Sequence, residues 1–61
     1  MSELTIILKD IERSYRHRKV IYQPYMITYD DPIILEAIAE AKKNFVGEPD
    51  EIIIKIHFQV I

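Results

Sequence analysis

Apolar and polar positions alternate with period two at both ends of the chain and follow a helical period in between. In Leu4-Thr5-Ile6-Ile7-Leu8-Lys9, Leu4, Ile6 and Leu8 share one face. That spacing predicts a strand, extending as far as Ile11 or Glu12. The longest alternation runs from Asp50 to Ile61. Ile52, Ile54, Ile56, Phe58 and Val60 fall on one face, with Ile53, Lys55, His57, Gln59 and Ile61 opposite. Between these ends, Lys19 to Tyr29 is rich in β-branched and aromatic residues and predicts a second strand. Pro24 has no N–H to give to a ladder, so this strand lies at an edge or is bulged there. Arg13-Ser14-Tyr15-Arg16-His17-Arg18 is polar, without Gly or Pro, and reads as the hairpin loop joining the first two strands.

One helix is predicted, within Asp30 to Gly47. Asp31 can accept hydrogen bonds from the first free backbone N–H groups, and Pro32 suits the first helical position. Lys42 and Lys43 in the last turn match the helix dipole. Gly47 can take a left-handed closing conformation, and Pro49 prevents continuation. Ile34, Ile38, Ala41 and Phe45 fall on one face, while Ile33, Leu35, Ala37, Ala39 and Val46 widen it on both sides. One sheet cannot cover a surface that wide, so a second partner is needed.

The order strand, strand, helix, strand defines an α+β fold. The simplest version is a three-stranded antiparallel sheet (β-β-α-β, order 2-1-3) with one helix packed on one face and a right-handed crossover through the helix. Residues 1–61 make one domain. Ordering costs about 1.5 kcal/mol per residue, so a chain this short has little stability to spare. It has no cysteine, hence no disulfide, and 49% of its residues are hydrophobic. Both facts point to a homodimer. The apolar run from Pro32 to Leu35 breaks at Glu36, far short of the ~20 residues of a membrane span. Met-Ser-Glu-Leu-Thr does not resemble a signal peptide, so an intracellular protein is expected.

The net charge of −2 conceals a segregation. Arg13, Arg16, Arg18 and Lys19 lie together without an acid, whereas from Asp30 to Glu51 seven acids against Lys42 and Lys43 leave −5. Such asymmetry suggests electrostatic recognition. Catalysis has little support: no nucleophile and His stand in a recognisable spacing, and Gly47 is the only glycine. His17 and His57 read as a solvated loop residue and an outward strand residue, so neither a metal nor a cofactor is expected. Glu36 and Glu40 are like charges one turn apart, which is mildly destabilising. They are either a solvated face or an anionic surface kept for a cationic partner. The basic stretch 13–19, with Tyr15, Tyr22, Tyr25 and Tyr29, offers an alternative reading as a small nucleic-acid-binding regulatory module.

Leu4-Thr5-Ile6-Ile7-Leu8-Lys9-Asp10 resembles the first strand of the small uracil-DNA glycosylase inhibitors of Bacillus podophages. The similarity continues through a Lys-led second strand with Tyr22 and Tyr25, an acid-capped helix, a Gly, and a last strand opening Asp50-Glu51-Ile52-Ile53. It covers most of the chain as short scattered matches. The resemblance implies a homodimeric, non-enzymatic DNA mimic acting in the host cell cytoplasm. It implies one partner, the uracil-DNA glycosylase of the bacterial host, with no direct nucleic-acid or membrane contact. In that family the helices of two subunits present acids where DNA presents phosphates, and an apolar pocket captures the residue that the enzyme pushes into the duplex. The acids carry over as Asp30, Asp31, Glu36 and Glu40. The pocket positions fall on Ile33 with Ala37, or on Ala41 with Phe45. The chain differs from the family in a longer helix, in Gln23 where the second strand has an acid, and in lacking the aromatic near the helix start.

Physical requirements agree with the resemblance. A DNA mimic needs negative charge to meet a basic groove and a desolvated apolar centre for affinity. An apolar helix flank beside Glu36 and Glu40 supplies both. The basic stretch does not fit mimicry and is expected to lie away from the binding face.

Overall fold

The computed structural model describes residues 1–59, so the expected strand positions of Val60 and Ile61 lie outside the described residues. Strand β1 spans Ser2–Asp10, β2 Tyr15–Gln23 and β3 Glu51–Phe58, with helix α1 at Pro32–Lys43. The sheet order is β2-β1-β3, and β1 is antiparallel to both neighbours. Each ladder is long and unbroken. On one face Leu4, Ile6 and Leu8 align with Ile21, Lys19 and His17 of β2 and with Ile56, Ile54 and Ile52 of β3. The α+β expectation and the 2-1-3 order are therefore met.

Leu4, Ile6 and Leu8 are fully buried, and α1 packs over them through Ile34, Ala37 and Ala41. Ile27 and Phe45 close the two ends of this core. Each large side chain removed from water contributes about 1.5–3 kcal/mol. The two alanines let the helix approach closely, and Tyr15 covers Phe45 with ring centroids 5.0 Å apart.

The second strand differs from expectation. Residues 15–18 are not loop: Tyr15, Arg16, His17 and Arg18 pair with Asp10, Lys9, Leu8 and Ile7. A tight turn at residues 11–14 makes this possible. Ser14 takes the left-handed conformation (φ 53°) usually left to glycine, and its N–H reaches the Ile11 carbonyl at 3.3 Å. The Asp10 carboxylate accepts from the Arg13 backbone N–H at 3.2 Å and from its Nε at 2.6 Å. Arg13 also donates to the Val46 carbonyl at 2.5 Å, tying the turn to the loop after the helix. Arg13 is thus a structural tie rather than a free cation. The strand ends at Gln23 because Pro24 cannot donate, so Tyr25 and Tyr29 stand outside the sheet. Beyond it, Ser2 Oγ, fully buried, accepts the Ile27 N–H at 3.1 Å and draws that loop onto the core.

The helix starts as expected. The Asp31 carboxylate accepts the Ile33 N–H at 3.0 Å and Pro32 is the first helical residue. It ends earlier than Gly47. Asn44 caps it, with its backbone N–H on the Ala41 carbonyl at 3.2 Å and its Nδ2 on that of Glu40 at 3.3 Å. Phe45 consequently enters the core from the loop. Gly47 has the positive φ expected of it (84°), but it turns the chain toward β3 rather than closing the helix. The backbone N–H groups of Asp50 and Gln59, bonded to the carbonyls of Lys9 and Met1 at 2.8 and 2.9 Å, bracket β3.

Helix α1 lies over β1 and β2 and makes no comparable contact with β3. The helix-side face of β3 is therefore only partly covered: Ile54 and Ile56 lean on the core, while Ile52 and Phe58 are each 40% exposed. The strand's outer edge has no neighbour among the described residues.

Candidate partner-binding surface

Successive helical residues turn by about 100°, so the buried line of Ile34, Ala37 and Ala41 splits the rest of α1 into two flanks. One carries Ile33, Glu36 and Glu40; the other carries Leu35, Ile38, Ala39 and Lys42. Glu36 and Glu40 are exposed and Ile33 is half-buried. Asp30, exposed, and Asp31, half-buried, precede the first turn and extend the acidic line past the helix start. These four carboxylates are thus brought to one end and one flank of the helix.

They are not equally free. Asp31 is engaged as the helix cap. Asp30 accepts the Thr28 hydroxyl, which holds its carboxyl below the usual carboxylate range. Glu40 meets Lys43 at 3.5 Å, an exposed pair of little energetic consequence. Glu36 makes no side-chain hydrogen bond or ion pair among the described residues.

Tyr25 joins this surface from the loop after β2. Burial of its hydroxyl raises its pKa above 10.0, and the nearby Asp31 and Glu36 carboxylates raise it further. An aromatic side chain therefore stands beside the helix start, although none lies in the helix sequence there. Sequence reasoning placed Tyr25 in a strand. The signal that relocates it is Pro24, read as the strand's end rather than as a bulge. Leu35, 73% exposed, is the most open large apolar side chain of the helix itself and lies on the flank away from the acids.

The apolar positions proposed from sequence separate by burial. Ala37, Ala41 and Phe45 belong to the core of the chain, at 1%, 0% and 6% exposure. Ile33 retains surface and shares the acidic flank. Within a single chain, only Ile33 among the four is open to another molecule.

The sheet's other face carries the opposite charge. Arg16 and Arg18 of β2, Lys9 of β1 and Lys55 of β3 lie there, together with His57. His17 pairs with Leu8 on the helix side, so the two histidines stand on opposite faces. Among the described residues no three His, Asp or Glu side chains converge as metal ligands, and no helix is long and apolar enough to cross a membrane.

Fold and surface define a small β-β-α-β protein with an acidic, aromatic-edged helix on one side of its sheet and a basic open face on the other. No protein-family model, curated protein or solved structure matches the chain.

Proposed function

We propose that this protein inhibits the uracil-DNA glycosylase of a bacterial host by mimicking DNA, as a homodimer and without catalysis of its own. The observation that carries the reading is the line Asp30, Asp31, Glu36 and Glu40 on one flank of α1, with Ile33 and Tyr25 beside it. A DNA-handling enzyme presents a basic groove, and a complementary field accelerates encounter with it. Charge at a rim adds little net affinity, so tight binding needs a desolvated centre. Ile33 and Tyr25 supply apolar and aromatic surface at that point.

Dimerisation in this reading uses what α1 leaves uncovered. Ile52, Ile54, Ile56 and Phe58 form an apolar strip along an edge strand. A second copy would cover it, and the unpaired edge of β3 would gain a neighbour. Two helices would then present two acidic lines to one enzyme.

The test is uracil release from a uracil-containing duplex by a bacterial glycosylase, with this protein added in increasing excess. Release stops in the proposed reading; undiminished release at large excess overturns it.

A further inference from the structure

The basic stretch recognised in the sequence has no part in DNA mimicry, yet the fold gives it a definite place. Strand β2 carries Arg16 and Arg18 onto the open face, beside Lys9 and Ile7 of β1. Strand β3 brings Lys55 and His57 to the same face from the other side. Arg16, Arg18, Lys55 and His57 surround a concavity of about 430 Å³ whose lining is completed by Glu3, Thr5 and Ile7. No element of the described chain packs on this face, because α1 occupies the other.

Arg16 stands directly across the ladder from Lys9, a like-charge pair that weakens a sheet. Two carboxylates share the face: Glu51 lies across from Lys9, and Glu3 lies between Tyr22 and His57. Neither reaches Arg16, Arg18 or Lys55 within ion-pair distance; the ion pairs of the described residues are Arg13 with Asp10 and Lys43 with Glu40. A protein of net charge −2 therefore keeps three exposed, unneutralised cations on one surface.

The same face carries rings. Tyr22 is 61% exposed and stands in one cross-strand row with His57. Tyr22 and Arg16 are both on β2, about 20 Å apart at the usual rise of a strand. Flat rings at one end of an open sheet and guanidinium groups at the other match single-stranded nucleic acid: bases stack on the rings and phosphates meet the cations. A duplex hides its base faces and has no use for Tyr22. We propose that the open sheet face binds single-stranded nucleic acid, with Arg16, Arg18 and Lys55 on phosphates and Tyr22 stacked on a base. This site lies across the sheet from the acidic helix and is independent of the glycosylase reading.

Fluorescence anisotropy with labelled oligo(dT) of about 12 nucleotides tests it. Binding is expected to weaken with salt at a log–log slope of about −2, as three phosphate contacts require. Combining Arg16→Ala, Arg18→Ala and Lys55→Ala is expected to weaken binding by about tenfold or more. Tyr22→Ala is expected to weaken it by roughly fivefold or more with the slope unchanged. Lys42→Ala with Lys43→Ala, at the helix end, is expected to leave it as it was. The proposal is overturned by absence of binding at low salt, by an equal loss from the Lys42 and Lys43 changes, or by a duplex that binds as tightly as the single strand. Circular dichroism of the variants separates loss of the site from loss of the fold.

Discussion

Ile6 and Ile7 are chain neighbours with the same side chain, and they face different environments. Ile6 points under the helix, is fully buried, and is flanked by Ile54 and the aliphatic stem of Lys19. Ile7 points to the open face, half-buried between Arg18 and Ile53. One side of the sheet holds the fold together; the other is left to charge. The contrast extends along the whole sheet, because strand side chains alternate and the ladders are in register. A molecule this small thus separates an acidic helix layer from a basic sheet face by the thickness of one sheet.

The strongest way to break that contrast is to truncate both isoleucines. Ile6→Ala removes a core side chain and is expected to cost about 2–5 kcal/mol. In a domain of this size each kcal/mol lowers the melting temperature by about 4–8 °C. Ile7→Ala is expected to cost well under half as much, as its side chain is only partly removed from water. Thermal melts followed by circular dichroism give both values, and equal losses would mean that the two faces are not divided as described.

The partly covered strip of β3 sharpens the comparison next. Ile52→Lys places a charge where a second copy is proposed to pack, and sedimentation is expected to show a shift from dimer to monomer. A dimer that survives this change pairs elsewhere. A smaller effect attends the helix start. Asp31→Ala removes the acceptor for the Ile33 N–H and is expected to cost about 1 kcal/mol of stability. Asn at that position retains the cap and should cost little.

Acid titration is the smallest of these effects. Hydrogen bonds from Arg13 hold the Asp10 carboxyl below its ordinary 3.8, and the Thr28 hydroxyl does the same for Asp30. A lowered pKa means that the folded state favours the carboxylate. The contribution is therefore present above the ordinary carboxylate range and is lost as pH falls through the lowered values. Asp30 is exposed and Asp10, though largely covered, is paired with a half-exposed arginine, so the loss is slight. Arg13→Met is expected to weaken the Asp10 part of this pH dependence in denaturant melts between about pH 5 and 2, the backbone N–H at that position still donating to the carboxylate.

Strand alternation and cap chemistry were open to sequence reasoning because both are local. Leu4, Ile6 and Leu8 declare their face by spacing alone, and Asp31-Pro32 declares the helix start. The order 2-1-3 follows from placing the first strand between the other two. Less accessible was the start of β2, because the turn before it relies on Ser14 in a conformation that usually marks glycine. Asp10 and Arg13 stabilise that turn through contacts that no periodicity reveals. The error hid the basic face: Arg16 and Arg18 read as loop residues, and nothing connected them to Lys55 and His57 on a distant strand. Burial followed the same rule. Phe45 and Ala37 both read as pocket positions on the helix, yet Phe45 enters the core from the loop after it and Ala37 lies at the helix–sheet contact. Tyr25 reached the acidic surface through a loop whose path depends on the buried Ser2 hydroxyl.

The proposed division of roles between the acidic helix and the basic sheet face is most directly tested by one titration of glycosylase activity. Uracil release is measured against increasing amounts of the unaltered protein, of the double variant Glu36→Lys and Glu40→Lys, and of the double variant Arg16→Ala and Arg18→Ala. The account predicts inhibition by the first and the third, and inhibition weakened by about tenfold or more in the second, with all three folded by circular dichroism. Inhibition by the helix variant equal to that of the unaltered protein, or its loss in the sheet variant alone, would contradict it.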